Sequence, residues 1–225
     1  MIGMNKEGIP TSENLNDDEI ITRILHGEKD LYSIIVRRYN QRLYRIGMSM
    51  LNDDAEVEDA MQVVYINAYE NLGKFAFRSS FPTWLTRILI NECLLRLKKR
   101  KKSISMNDEN IENVMSQNKD PQTPVTTTVN SELRSILNDA IRRLPEKYRT
   151  VFVMREIEKM NIAETKECLN ISEVNVKVRL NRAKALLRDI LSAQYSKDDI
   201  LHFHLNRCDR MVDTVMKSIR GNKDH

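Results

Sequence analysis

Two groups of residues in this sequence have types and spacings suited to nucleic acid. In the first, Phe75, Phe77, Phe81 and Trp84 cluster beside Arg78 and Arg87, and the same helical pattern runs on into Lys98, Lys99, Arg100, Lys101 and Lys102. Aromatic rings stack on unpaired bases and neighbouring cations hold backbone phosphates, so this combination suits single-strand capture better than duplex reading. In the second, Lys177, Val178, Asn181 and Arg182 share one face of a helical pattern. Lys and Arg can meet phosphates or guanine edges, Asn an adenine and Val a thymine methyl, which suits a major groove. A charged helix face is more often merely solvated. A second, chemically different nucleic-acid signature in the same chain weakens that explanation.

Other chemistries find little support. No cluster of carboxylates or histidines converges on one site, as a metal-dependent nuclease would need, and no catalytic residue is assigned. Cys93, Cys168 and Cys208 are an odd number at wide spacing, which indicates neither a disulfide framework nor a CxxC metal site. Cys93 and Cys168 are expected as small buried hydrophobes. His202, His204 and Cys208 lack a fourth ligand at useful spacing, so neither a metal nor a cofactor is expected.

The elements that must position these residues are helical. Of 225 residues 30% are charged, with six glycines and five prolines, and the net charge is +4; that composition favours helices over a turn-rich β architecture. No stretch nears the length of apolar chain that a membrane span needs, and the N-terminus lacks a secretory pattern, so a cytoplasmic chain without membrane insertion is expected. Periodicity predicts a short helix over residues 17–25, stopped by Gly27, and a second carrying Leu31, Ile34, Ile35, Tyr39, Leu43, Ile46 and Met50. A third, roughly 55–72, follows a cap within Asn52-Asp53-Asp54. A fourth starts after Ser80, with Pro82 in its first turn. Residues 103–130 lose all periodicity and read as a flexible linker. Beyond it a stripe from Leu133 to Leu144 gives way to PEKYRTVFVMREIE, read as one helix with Pro145 at its first position. Two short patterns then meet at LNIS, residues 162–169 and 172–190, the outline of a helix-turn-helix with Ser172 as cap and Val176, Leu180, Ala183 and Leu187 inward. The expected fold is all-α, two small helical domains joined by a flexible linker, the second containing the helix-turn-helix.

A double-strand reader tethered to a single-strand reader is what a promoter-opening factor requires. DAEVEDAMQVVYINAYENL and FPTWLTRILIN resemble the second region of the extracytoplasmic-function (ECF) RNA polymerase sigma factors, and LPEKYRTVFVMREIE and NISEVNVKVRLNRAKALL resemble their fourth. The resemblance implies an N-terminal tail (1–16), a second-region domain (17–102), a linker (103–130), a fourth-region domain (131–192) and an extension of its own (193–225). It implies that Asp59, Gln62 and Tyr69 lie on the clamp helices of the polymerase largest subunit, with the fourth region on the flap. The loop 74–80, with Trp84, Arg87 and Asn91, would melt and hold the minus-ten element. Phe75, Ala76, Phe77, Arg78, Ser79 and Ser80 are expected to form a pocket for an extruded base, Phe77 offering a ring and Ser79 and Ser80 hydrogen bonds. Lys98 to Lys102 would secure the upstream backbone, and Lys177, Val178, Asn181 and Arg182 would read the minus-thirty-five element. Core RNA polymerase and promoter DNA are the implied partners, and an anti-sigma factor is a candidate third. Five positions depart from the family pattern: Val63 replaces an acidic residue, Ala76-Phe77 an Arg-Gly pair, Lys166 an alanine at a close helix crossing, and Asn170 the turn glycine. The Lys166 stem is expected to snorkel outward, and Asn170 to accept a left-handed turn. The alternative is a helix-turn-helix operator-binding transcriptional regulator, which would bind specific duplex without polymerase.

Overall fold

The computed structural model describes residues 15–106 and 129–194, and every regular element among them is helical. Most of the expected linker, nearly all of the 193–225 extension with His202, His204 and Cys208, and residues 1–14 lie outside the described residues. The chain divides into two compact units, residues 1–121 with 145–181, and residues 122–144 with 182–225.

In the first unit, local signals set the helix limits. Helix α1 (Asp17–Leu25) starts where the Asn16 side chain accepts from the Glu19 amide at 2.8 Å, and Gly27 follows it at φ 108°. After a 3-10 turn at Lys29–Leu31, α2 (Tyr32–Leu51) ends at Asn52, which is left-handed at φ 55°. Asp53 then caps α3 (Asp54–Glu70) by accepting from the Glu56 amide at 2.9 Å. A 3-10 turn at Leu72–Lys74 leads through a short loop to α4 (Phe81–Met106). Helix α4 thus carries the basic run and also takes up 103–106, the start of the expected linker.

Helices α2, α3 and α4 pack on one another. Ile35, Leu43 and Ile46 from α2, Val57, Ala60 and Val64 from α3, and Phe81, Leu85, Leu89 and Ile90 from α4 are all buried. Each set recurs at helical spacing, so each helix turns one apolar stripe to the centre. Gly47 lets α2 and α3 approach closely, since a Cβ there would meet Val57 Cγ1 at 2.9 Å.

In the second unit lies α5 (Val129–Arg142). The segment that follows belongs to the first unit and departs from the expected single helix. Pro145 takes the cap position (φ −54°, ψ 139°) before α6 (Glu146–Phe152) rather than the first helical one. From Val153 to Ile157 the helix widens into a π turn, with the Glu158 amide donating to the Val153 carbonyl at 2.9 Å. The wide turn buries both Val153 and Met154 and ends at Lys159, which is left-handed at φ 56°. Helix α7 (Ile162–Leu169) and α8 (Glu173–Gln194) complete the helix-turn-helix.

Candidate nucleic-acid interface

The aromatic cluster divides into structural and exposed rings. Phe75 is its hub, with ring centroids 4.6 Å from Phe77, 5.4 Å from Phe81 and 5.3 Å from Trp84. Phe75 and Phe81 are buried, so their burial goes to the core and not to a base. Phe77 is 52% exposed and sits at φ 54°, a conformation uncommon for a bulky residue. That left-handed backbone turns its ring outward over Phe75. Trp84 is half-buried, Arg78 is exposed and Ser79 half-buried. Ser80 shares a 2.8 Å hydrogen bond with the Thr83 hydroxyl, and its carbonyl accepts from the Trp84 amide at 3.1 Å. Its hydroxyl therefore already has a helix-start partner. Further along α4, Asn91, Lys98, Lys99, Arg100, Lys101 and Lys102 are exposed.

On α3, Asp59 and Gln62 are exposed, and Tyr69 packs edge-on against Tyr32 at 5.0 Å. The same helix face exposes Val63 and Ile66. Ile66 was not singled out from sequence, although it lies seven residues after Asp59 and four after Gln62, the spacing of one helix face.

The helix-turn-helix is tightly specified. Asn161 and Glu164 form a reciprocal capping box at the start of α7, with bonds of 2.9 and 2.7 Å. Asn170 takes the left-handed turn at φ 50°, and the Ser172 hydroxyl accepts from the Asn175 amide at 3.2 Å. Val176, Ala183 and Leu187 are buried and Leu180 is half-buried, while Lys177, Val178, Asn181 and Arg182 are exposed. Lys166 does snorkel outward, and its ammonium donates to Glu173 at 3.0 Å. Glu173 and Val174 stand one turn before Lys177 and Val178 and are also exposed, Val174 by 69%. Neither was singled out from the sequence, although their spacing of four from Lys177 and Val178 places them on the same helix face.

Helices α6 and α7 dock on α2 and α4 within the first unit. The buried Arg149 donates through Nε to the Ser49 carbonyl at 2.7 Å, and burial pushes its guanidinium pKa down. Arg45 on α2 pairs with the buried carboxylate of Glu158, whose hydrogen bond raises the Arg45 pKa. Cys168 donates to the Thr83 carbonyl at 3.4 Å, and Arg87 pairs with Glu167 at 3.0 Å. Helix α7 therefore lies on the part of α4 that carries Thr83 and Arg87, and a carboxylate meets Arg87 as a phosphate oxygen would. Burial pushes the Cys168 and Cys93 thiols up to about 12, and both stay protonated.

No group of three or more His, Cys, Asp or Glu among the described residues is arranged to hold a metal ion, and no described helix is long and apolar enough to cross a membrane. The family models for sigma-70 region 2 and sigma-70 region 4 match residues 35–103 and 134–187. The ECF RNA polymerase sigma factor SigW of Bacillus subtilis is 32% identical over 173 residues, covering 75% of this chain and 92% of the relative. The ECF RNA polymerase sigma-E factor of Haemophilus influenzae is 27% identical over 183 residues, covering 79% of this chain and 96% of that protein. Among solved structures, the sigma factor RpoE of Bartonella quintana, in complex with the anti-sigma factor NepR, shares the fold. Its TM-score is 0.59 at 16% identity, covering 73% of this chain and 98% of that one. CnrH, in complex with the cytosolic domain of CnrY, does so at TM-score 0.55 and 21% identity, covering 80% and 99%. With both sigma regions matched and SigW aligned over most of both chains, the chain belongs to the ECF RNA polymerase sigma factor family.

Proposed function

We propose that this sigma factor divides promoter recognition between the two surfaces described above, residues 17–102 serving as the region 2 domain and 131–192 as the region 4 domain. Phe77 stacks on a base extruded from the minus-ten strand, with Arg78 and Ser79 beside it. Trp84, Arg87 and Asn91 continue this strand-holding surface. Lys98 to Lys102 hold the upstream backbone, and Lys177, Val178, Asn181 and Arg182 read the minus-thirty-five element. Asp59 and Gln62, with Tyr69 behind them, meet the polymerase clamp helices, Val63 and Ile66 adding apolar contact where an acidic residue is missing. The fourth region rests on the flap. The protein works in the cytoplasm without catalysis of its own, and an anti-sigma factor of the kind bound by RpoE is a further partner.

The observation that carries this proposal is the division of the aromatic cluster. Phe75 and Phe81 are committed to the core, and Phe77 is left outward at 52% exposure beside an exposed Arg78. Unstacking a base costs a few kcal/mol, which stacking on an aromatic ring can offset. Transcription with purified core polymerase on genomic fragments, with permanganate footprinting of the start regions, tests it. Discrete transcripts with reactive thymines upstream of each start are expected. Strong sequence-specific duplex binding without polymerase, and no polymerase-dependent opening, would overturn it in favour of an operator-binding regulator.

A further inference from the structure

The start of α8 carries a feature that the four upstream-reading residues leave unused. Glu173 and Val174 precede Lys177 and Val178 by four residues and lie on the same face, within the first unit. Val174 is 69% exposed, more than any other large hydrophobic residue among those described, and Val178 is 50% exposed. An apolar pair so open to water has no role in packing the motif. In helix-turn-helix proteins the N-terminal residues of the second helix are the ones that contact base edges. A carboxylate there would repel the phosphates flanking the groove. Its exception is the cytosine amino group, which presents only a donor in the major groove. Glu173 is suited to that exception because Lys166 donates to it at 3.0 Å, offsets its charge and lowers its pKa, and an ionised carboxylate is a pure acceptor.

We propose that Glu173 and Val174 extend the base-reading face of α8 by one turn, Glu173 accepting from a cytosine amino group and Val174 touching a thymine methyl, with Lys166 as the positioning residue for the carboxylate. This rests on the assignment of α8 as the upstream-element reader. The specificity of the family's four aligned positions is thereby enlarged to six in this chain, and the lysine at the helix crossing acquires a purpose.

The test is selection from a promoter library randomised through the upstream element, using holoenzyme of the full chain with core polymerase. Glu173→Ala should lose about 10-fold preference for cytosine at one position and leave the others unchanged. Glu173→Gln should move preference at that position toward adenine, which glutamine bonds at both N6 and N7. Val174→Ala should lose a several-fold preference for thymine at a neighbouring position. Lys166→Met should weaken selection at the Glu173 position only. If Glu173→Ala instead strengthened binding to all sequences equally and altered its salt dependence, the carboxylate would merely repel phosphate and the proposal would fall. Arg182→Ala and Lys177→Ala serve as controls. Changed upstream selection in them beside unchanged selection in the Glu173 and Val174 variants would overturn the extension alone, whereas no upstream selection by any protein would overturn the assignment of α8 itself.

Discussion

Replacing Arg45 by alanine should release α6 and α7 from the first bundle without unfolding that bundle. Arg45 donates through Nε and Nη2 to Glu158, whose side chain is only 5% exposed while that of Arg45 is 39% exposed. Breaking a fully buried pair costs about 3–5 kcal/mol because a charge is left stranded. Here the arginine side is open and water can follow, so about 2 kcal/mol is the appropriate scale. Local opening would then rise about 30-fold, at a factor of ten for every ~1.4 kcal/mol. The two described cysteines report on it. Cys168 is buried where α7 meets α4, and Cys93 is buried on α4. Both thiols are pushed up to about 12 by burial, so neither is reactive until it opens to water. In a Cys208→Ser background, alkylation by iodoacetamide followed by peptide mass spectrometry gives the two rates separately. Arg45→Ala should accelerate Cys168 about 30-fold and leave Cys93 unchanged. Equal acceleration of both would mean global destabilisation, and an unchanged Cys168 would mean that the pair does not hold the docking; either result refutes the reasoning.

Gly47→Ala should destabilise the chain by about 1–2 kcal/mol in urea, despite alanine's higher helix propensity, because the new methyl meets buried Val57 at 2.9 Å. Adding Val57→Ala should then cost less than it does in the parent protein. Asn170→Ala should lower stability by about 1 kcal/mol, and Asn170→Gly should be nearly neutral, since the position is left-handed at φ 50°; thermal denaturation distinguishes the two. Phe77→Ala should leave the melting temperature within about 2 °C while reducing minus-ten opening in permanganate footprints at least several-fold, because the ring is 52% exposed and, among the described rings, lies tilted against Phe75 alone. A loss of stability matching the loss of opening would make Phe77 structural.

Much of the molecule was legible in the sequence because much of it is local. Asp53 and Ser172, both expected as caps, accept from amides three residues on, and Asn16 and Asn161, not singled out from the pattern, do the same, so side-chain type at the right place is enough to start a helix. The exposed face of Lys177, Val178, Asn181 and Arg182 follows from the 3.6-residue repeat once Val176 and Ala183 are known to be inside. Likewise, the outward path of Lys166 needed only a long stem, though its partner Glu173 did not emerge from pattern alone. The sequence determined most of the helices, several of their caps and which residue types could meet nucleic acid.

Tertiary structure decided which members of each cluster are spent on packing and which remain free. Phe75 and Phe77 are two residues apart and chemically identical, yet one is buried and the other turned out by a left-handed backbone that no local pattern announces. PEKYRTVFVMREIE reads as one helix, but burial of both Val153 and Met154 accompanies a π turn. Arg45 and Glu158 are 113 residues apart, Arg149 and Ser49 100, and Cys168 and Thr83 85. Such partners are chosen by how two helical surfaces fit, and that fit depends on all the side chains at the contact together, whereas caps and periodicity depend on a few neighbours along the chain.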